Sequence, residues 1–199
     1  MISSLLKKCS SNMYYIMGVS KNKLLIGGIS MTNQMVETIK SRKSIRKYIE
    51  KEIPKEILKD IIDCARLSPT GNNKQAWTFV VVTDKDLREK ISYHAKYGTF
   101  IKEAGACIAV FYDEEIGTTP LQDASAATEN IIIAAKAYNL GTCWVNSYQK
   151  KHSSLIKELL NCPENMELMT LLAVGYYNED YVKKRDKKTL EEVLRWDKF

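Results

Sequence analysis

Two short stretches of this chain gather residue types able to hold a polar ligand. The first is Ser68-Pro69-Thr70-Gly71-Asn72-Asn73-Lys74-Gln75-Ala76-Trp77. Pro and Gly punctuate it, and Asn tolerates unusual backbone angles, so the segment must turn. Asn and Gln amides donate and accept hydrogen bonds in one plane, which suits the edge of a flat, polar heterocycle. A plain helix-to-strand connector has the same composition, so the turn alone does not decide. The second stretch is Ser41-Arg42-Lys43-Ser44-Ile45-Arg46-Lys47-Tyr48, where Arg42, Lys43, Ser44 and Arg46 place three cations and a hydroxyl within five residues. Arginine forks and a hydroxyl suit a phosphate, because hydrogen bonds to an anion are stronger than neutral ones. Cations that end a helix and complement its dipole are the plainer reading.

These stretches need elements to place them. Met35, Val36 and Ile39 predict a helix over 33–42, amphipathic and leading into the basic stretch. Ile57, Leu58, Ile61, Ile62 and Ala65 predict a second over 54–67, with Pro54 at its first position. Trp77 to Thr83 reads as a strand. Asp84 caps a helix of about ten residues. The segment 95–105 reads as a loop that could cover a site. Ala106 to Tyr112 is a nearly unbroken apolar run, hence a buried strand. Ala124, Ala127, Ile131, Ala134, Ala135 and Tyr138 are spaced for burial on a long helix over 121–138, and Gly141 lets the chain turn after it. A strand around 143–145, a helix over 154–160 and a strand over 168–176 follow. Thr189 and Glu192 form a capping box for a last helix. Helices and strands do not alternate strictly, so the fold class is α+β. No G-x-G-x-x-G or P-loop is present, so a nicotinamide would not be held by a Rossmann site.

Composition narrows the classes further. The 199 residues suit one domain, with or without an appendage. No apolar run approaches the ~20 residues of a membrane helix. Five cysteines without C-x-x-C spacing, and only two histidines, suit reduced thiols in a cytoplasm rather than a metal centre. The net charge of +6 is concentrated at the N-terminus: residues 1–30 hold Lys7, Lys8, Lys21 and Lys23 and no acid. Without them, 26 of the 30 cations face 24 anions, too balanced for a nucleic-acid groove. Residues 1–30 read as an extension to a domain over 31–199. A targeting peptide fits poorly, since no small-residue cleavage pattern follows an apolar core. Gly27-Gly28 ahead of Met31 suggests a translated ribosome-binding sequence, which makes Met31 the expected start.

Taken in order, four stretches resemble the FMN-dependent nitroreductase family. Arg42-Lys43-Ser44-Ile45-Arg46 matches its Arg-x-Ser-x-Arg element, and Ser68 to Trp77 its Ser-Pro-Ser/Thr-x-x-Asn-x-Gln-Pro-Trp element. Asn139-Leu140-Gly141-Thr142-Cys143-Trp144-Val145 is similar to its Gly-Leu-Gly-Thr-x-Trp-Ile segment. Val174-Gly175-Tyr176, followed by Arg185 to Val193, resembles its closing motif. Ala76 stands for a usual Pro, Lys43 for a frequent Arg, and Asn146-Ser147 for a frequent Gly-Gly.

The resemblance implies a central mixed β-sheet flanked by helices in an intertwined homodimer, with FMN at the interface. It implies that Arg42, Lys43, Ser44 and Arg46 form one phosphate arm and Arg185, Lys187 and Lys188 another. It implies that Pro69, Thr70, Gly71, Asn73 and Gln75 line a flavin bound to the partner subunit, while Thr142, Cys143, Trp144 and Val145 run beside the ring. Trp144 as plain core and Cys143 as a small buried residue remain open alternatives. The implied reaction takes hydride from NADPH or NADH through flavin N5 to a nitroaromatic, quinone or similar small acceptor, in two steps and without a protein nucleophile. A flavin-destroying or dehalogenating enzyme on the same scaffold is the second reading. An anion- or nucleic-acid-binding module is the third, and the charge distribution speaks against it.

Overall fold

The computed structural model describes residues 25–26, 29–30, 33–182 and 185–199. The remaining positions, and with them the expectation about Met31, lie outside the described residues. The chain divides into a unit of residues 1–42 and a unit of residues 43–199.

In the first unit, β1 (Leu25–Ile26) pairs antiparallel with β2 (Ile29–Ser30). Helix α1 (Gln34–Ser41) begins where the Asn33 side chain accepts from the Met35 N–H at 3.1 Å. Its expected apolar face, Met35, Val36 and Ile39, is exposed, and Thr38 is its buried residue.

In the second unit the order is α2 (Lys55–Arg66), β3 (Trp77–Val82), α3 (Lys85–His94), β4 (Ala106–Asp113), α4 (Pro120–Ala137), β5 (Gly141–Asn146), α5 (Ser153–Leu159), β6 (Met166–Gly175) and α6 (Leu190–Val193). The four strands β3 to β6 form one sheet in the order β3-β4-β6-β5, every neighbouring pair antiparallel. The parallel component of the expected mixed sheet is a single bridge, Ser44 to Thr142. Helices α2 and α4 cover one face through Leu58, Ile61, Ala65, Ala127, Ile131 and Ala135. Ile91 of α3 and Ile156 of α5 cover the other. Cover on both faces buries all eight residues of β4, which suits its apolar run Ala106 to Tyr112; only Asp113 at its end is charged.

Several local expectations shift. Pro54 caps α2 from outside rather than opening it, so the helix starts at Lys55. The segment 95–105 is anchored in the core by Ala95, Ile101 and Ala104, while Tyr97 is exposed. It contains a 3-10 turn, Thr99–Glu103, whose Ile101 is fully buried, and Arg88 donates through Nη1 to the Ala104 carbonyl at 2.6 Å. Tyr138 is 39% exposed, and its hydroxyl donates to Asp60 instead of packing inside. The turn after α4 is made by Asn139 at φ 57°, the left-handed region that Asn tolerates, and not by Gly141. The Thr189/Glu192 capping box opens α6 as expected.

Candidate functional site

The turn between α2 and β3 is a built element rather than a slack connector. Gly71–Asn73 forms one 3-10 turn. Asn72, Asn73 and Gln75 all adopt left-handed backbone, at φ 51°, 55° and 50°. Such angles persist only where the surroundings impose them. Here Thr70 Oγ1 accepts from the Gln75 N–H at 3.2 Å. Asn130 of α4 donates through Nδ2 to Ser68 Oγ at 2.7 Å and to the Cys64 carbonyl at 3.1 Å. The result presents Pro69, Asn73 and Gln75 as exposed side chains, with Thr70 and Gly71 half-buried beneath them.

The basic stretch is fixed to β5. The Ile45 N–H donates to the Thr142 carbonyl at 2.8 Å beside the Ser44–Thr142 bridge. Ile45 is buried, which turns Ser44 and Arg46 outward on either side of it. Tyr48 donates its hydroxyl to the Ile45 carbonyl at 2.7 Å, and burial raises that phenol well above its ordinary range, so it stays a donor. Two contacts lay the chain after β6 along this stretch: the Ile49 N–H donates to the Tyr176 carbonyl at 2.8 Å, and Lys47 stands 3.6 Å over the Tyr181 ring. That path brings Arg185 back. Burial raises the Cys143 thiol, and Arg46 and then Arg185 oppose the shift, so both guanidinium groups act on one buried sulfur. One residue of the expected early arm and one of the late arm thus lie within electrostatic reach of the same strand. Lys43, Lys187 and Lys188 are exposed. Arg42 belongs to the first unit, where its N–H closes α1 on the Thr38 carbonyl.

Along β5 the side chains alternate. Cys143 and Val145 point into the core, and Thr142 is buried on the opposite face. Trp144 is 38% exposed, which removes the plain-core alternative for it. It borders a groove of about 350 Å³ with Asn146, Met169, Leu121, Ser125 and Thr128. Met169 sits at an irregularity in the β4–β6 register, and its carbonyl accepts from both Ser147 and Tyr148 N–H groups at 3.2 and 3.1 Å. Cys143 is the small buried residue of the second alternative.

Three pairings escaped the sequence reading. Asp123 and Asn130 hold the amide turn from α4. Their signal was available, since both are polar residues among the apolar positions of that helix. Asn146 and Thr128 join the groove from separate elements, which nothing local announces. Ser147 and His152 meet at 3.1 Å, but Ser147 is fully buried and donates to the Val145 carbonyl, so the pair offers no accessible nucleophile.

One distance organises the rest. Gly71 is held at Asp123, near the start of α4, whereas Lys136 near its end donates to Tyr177, which packs against Gly141 beside the basic arms. At about 1.5 Å rise per residue, those two levels are about 20 Å apart along the helix.

The sequence model of the nitroreductase family matches residues 39–98 and 92–176. An NADH dehydrogenase/NAD(P)H nitroreductase of Archaeoglobus fulgidus is 33% identical over 152 residues, covering 74% of this chain and 87% of the relative. The iodotyrosine deiodinase of Nematostella vectensis is 26% identical over 195 residues, covering 81% of this chain and 74% of its own. Among solved structures, a nitroreductase from Desulfovibrio desulfuricans in complex with FMN superimposes with a TM-score of 0.75 at 25% identity, covering 85% of this chain and 99% of the other. With the first basic arm, the amide turn and β5 all inside the matched residues, the chain belongs to the nitroreductase family.

Proposed function

We propose that the chain is an FMN-dependent oxidoreductase that passes hydride from NADPH or NADH to a nitroaromatic, quinone or similar small acceptor. The observation that carries this reading is the basic stretch Ser44-Ile45-Arg46 bonded to β5 through Ile45 and Thr142, beside a Trp144 that the same strand exposes. This donor set fits a phosphate tethered to a flat ring. Guanidinium groups and the Ser44 hydroxyl suit the phosphate, and the turn's amides suit the ring's polar edge. FMN, when bound, supplies the hydride chemistry, in one half-reaction with the nicotinamide and a second with the acceptor. The chain's own task is to hold and orient. Arg46 and Arg185 neutralise the phosphate and the Ser44 hydroxyl bonds to it, with Lys43, Lys187 and Lys188 as further cations of the two arms. Thr142, Cys143, Trp144 and Val145 form the wall beside the ring.

The level difference along α4 supports a shared site. A turn about 20 Å along the helix from the arms of its own subunit reaches too far for one cofactor. It suits a flavin whose phosphate the partner holds, in a homodimer. Exposed Met35, Val36 and Ile39 are apolar surface that such a dimer could cover.

The isolated protein is expected to be yellow and to bleach under NADPH or NADH without oxygen. A colourless protein that takes up no added FMN ends the reading. Asn73→Gly removes one amide while keeping the left-handed backbone that alanine would strain. It should weaken FMN binding about tenfold, with an unchanged melting temperature; equal affinity would make the turn a connector only.

The likeness to the Nematostella deiodinase favours a dehalogenating second reading. Iodide release from iodotyrosine by the reduced protein would support it. Nitroaromatic turnover without iodide release would dismiss it.

A further inference from the structure

Asp123 lies in the first turn of α4 and is 4% exposed. Its carboxylate accepts from the Tyr112 hydroxyl at 2.8 Å, the Thr119 hydroxyl at 2.9 Å and the Gly71 N–H at 3.2 Å. Among the described residues no ion pair compensates it. A buried carboxylate without a cation depends on its donors, and here three separate elements supply them. The start of α4 adds its dipole. Burial, and then the bond to Asp123, raises the Tyr112 phenol, which keeps it a donor. Thr119 spends its hydroxyl on Asp123 instead of capping its own helix.

Gly71 is the point where this network meets the turn. A Cβ there would approach Thr119 Oγ1 to 2.5 Å, so the turn lies flush on the network. The residues that follow, Asn72, Asn73 and Gln75, carry the left-handed backbone. Something must fix the first amide of that run for the later side chains to face one direction.

We propose that Asp123 is a positioning residue for the flavin: it clamps the Gly71 amide and so sets the direction of the Asn73 and Gln75 amides. This rests on the reading of the turn as the flavin-facing element. Asparagine at 123 would keep one acceptor oxygen for three donors; the Gly71 N–H, which now faces both carboxylate oxygens and cannot accept, would compete for it with the two hydroxyls or face an NH2 group. The clamp would therefore weaken even though the side chain keeps its size.

The test uses the full-length protein, first without and then with FMN. In Asp123→Asn, amide hydrogen exchange over 70–76 should accelerate at least tenfold while β4 and β6 keep their protection. FMN affinity, read by flavin fluorescence, should fall about tenfold. Tyr112→Phe, which removes one donor and keeps the ring, should move both readouts the same way by about threefold, and it decides the matter if Asp123→Asn does not fold. A uniform loss of protection in both variants would mean a structural role and overturn the proposal. So would unchanged FMN affinity in a variant whose wild type binds FMN. Wild-type protein that binds no FMN would end the flavin reading, and the proposal with it.

Discussion

Arg46→Ala should cost the protein between tenfold and a hundredfold in FMN affinity and leave riboflavin affinity unchanged. The difference isolates the phosphate, since the two flavins share the same ring. The magnitude follows from a charge-assisted hydrogen bond to an anion, which contributes about 1.5–3 kcal/mol where a neutral one contributes about 1. Arg46 is exposed and rests 5.9 Å from the Phe100 ring, so its loss should leave stability nearly unchanged. Arg185→Ala should show the same flavin selectivity. If both guanidinium groups hold one phosphate, the double variant should lose less than the product of the single losses. Fluorescence titration with each flavin, repeated at two salt concentrations, checks all three. Equal losses for FMN and riboflavin would remove Arg46 from the phosphate.

Gly141→Ala should be costly to both fold and site. A Cβ at 141 would sit 2.6 Å from Ile45 Cγ1, 2.8 Å from Ile45 Cβ and 2.7 Å from Tyr177 Cδ1. Ile45 is buried and its N–H is bonded to the neighbouring Thr142 carbonyl, so it cannot swing clear. Overpacking of this kind costs about 1–3 kcal/mol. The displaced Ile45 stands between Ser44 and Arg46 of the first basic arm. The variant should therefore unfold at lower denaturant and also lose much of its preference for FMN over riboflavin. A midpoint and preference equal to wild type would show that β5 and the basic stretch are not locked together.

Much of this architecture is legible in the residues. The unbroken apolar run of β4 announces a strand covered on both faces, and Asp84 and Thr189 mark helix starts by their capping chemistry. The two ligand-holding stretches are also readable, because amides and cations concentrate locally. What holds them is not local. The bond from Gly71 to Asp123 spans 52 positions and the bond from Asn130 to Ser68 spans 62. Helical periodicity asks only whether a position is apolar, and it passes over a polar residue that faces inward to anchor something else. The same blindness applied to Tyr138, whose spacing promised burial but whose hydroxyl found Asp60 at the surface. Gly141 misled for a different reason: a glycine near a helix end suggests a turn, whereas this one is required by close packing and Asn139 makes the turn.

The separation of the amide turn and the basic arms along α4 has a genetic consequence. On the shared-site reading, a subunit without its arms and a subunit without its turn carry defects in different halves of each cofactor site. Co-expressed, they would assemble mixed dimers in which one site collects both faults and the other is whole. Two inactive parents would then complement each other: each mixed dimer carries half the wild-type flavin content, and a randomly assembled population about a quarter of it. Helix α4 would be the spacer that lets lesions in one chain be repaired by another.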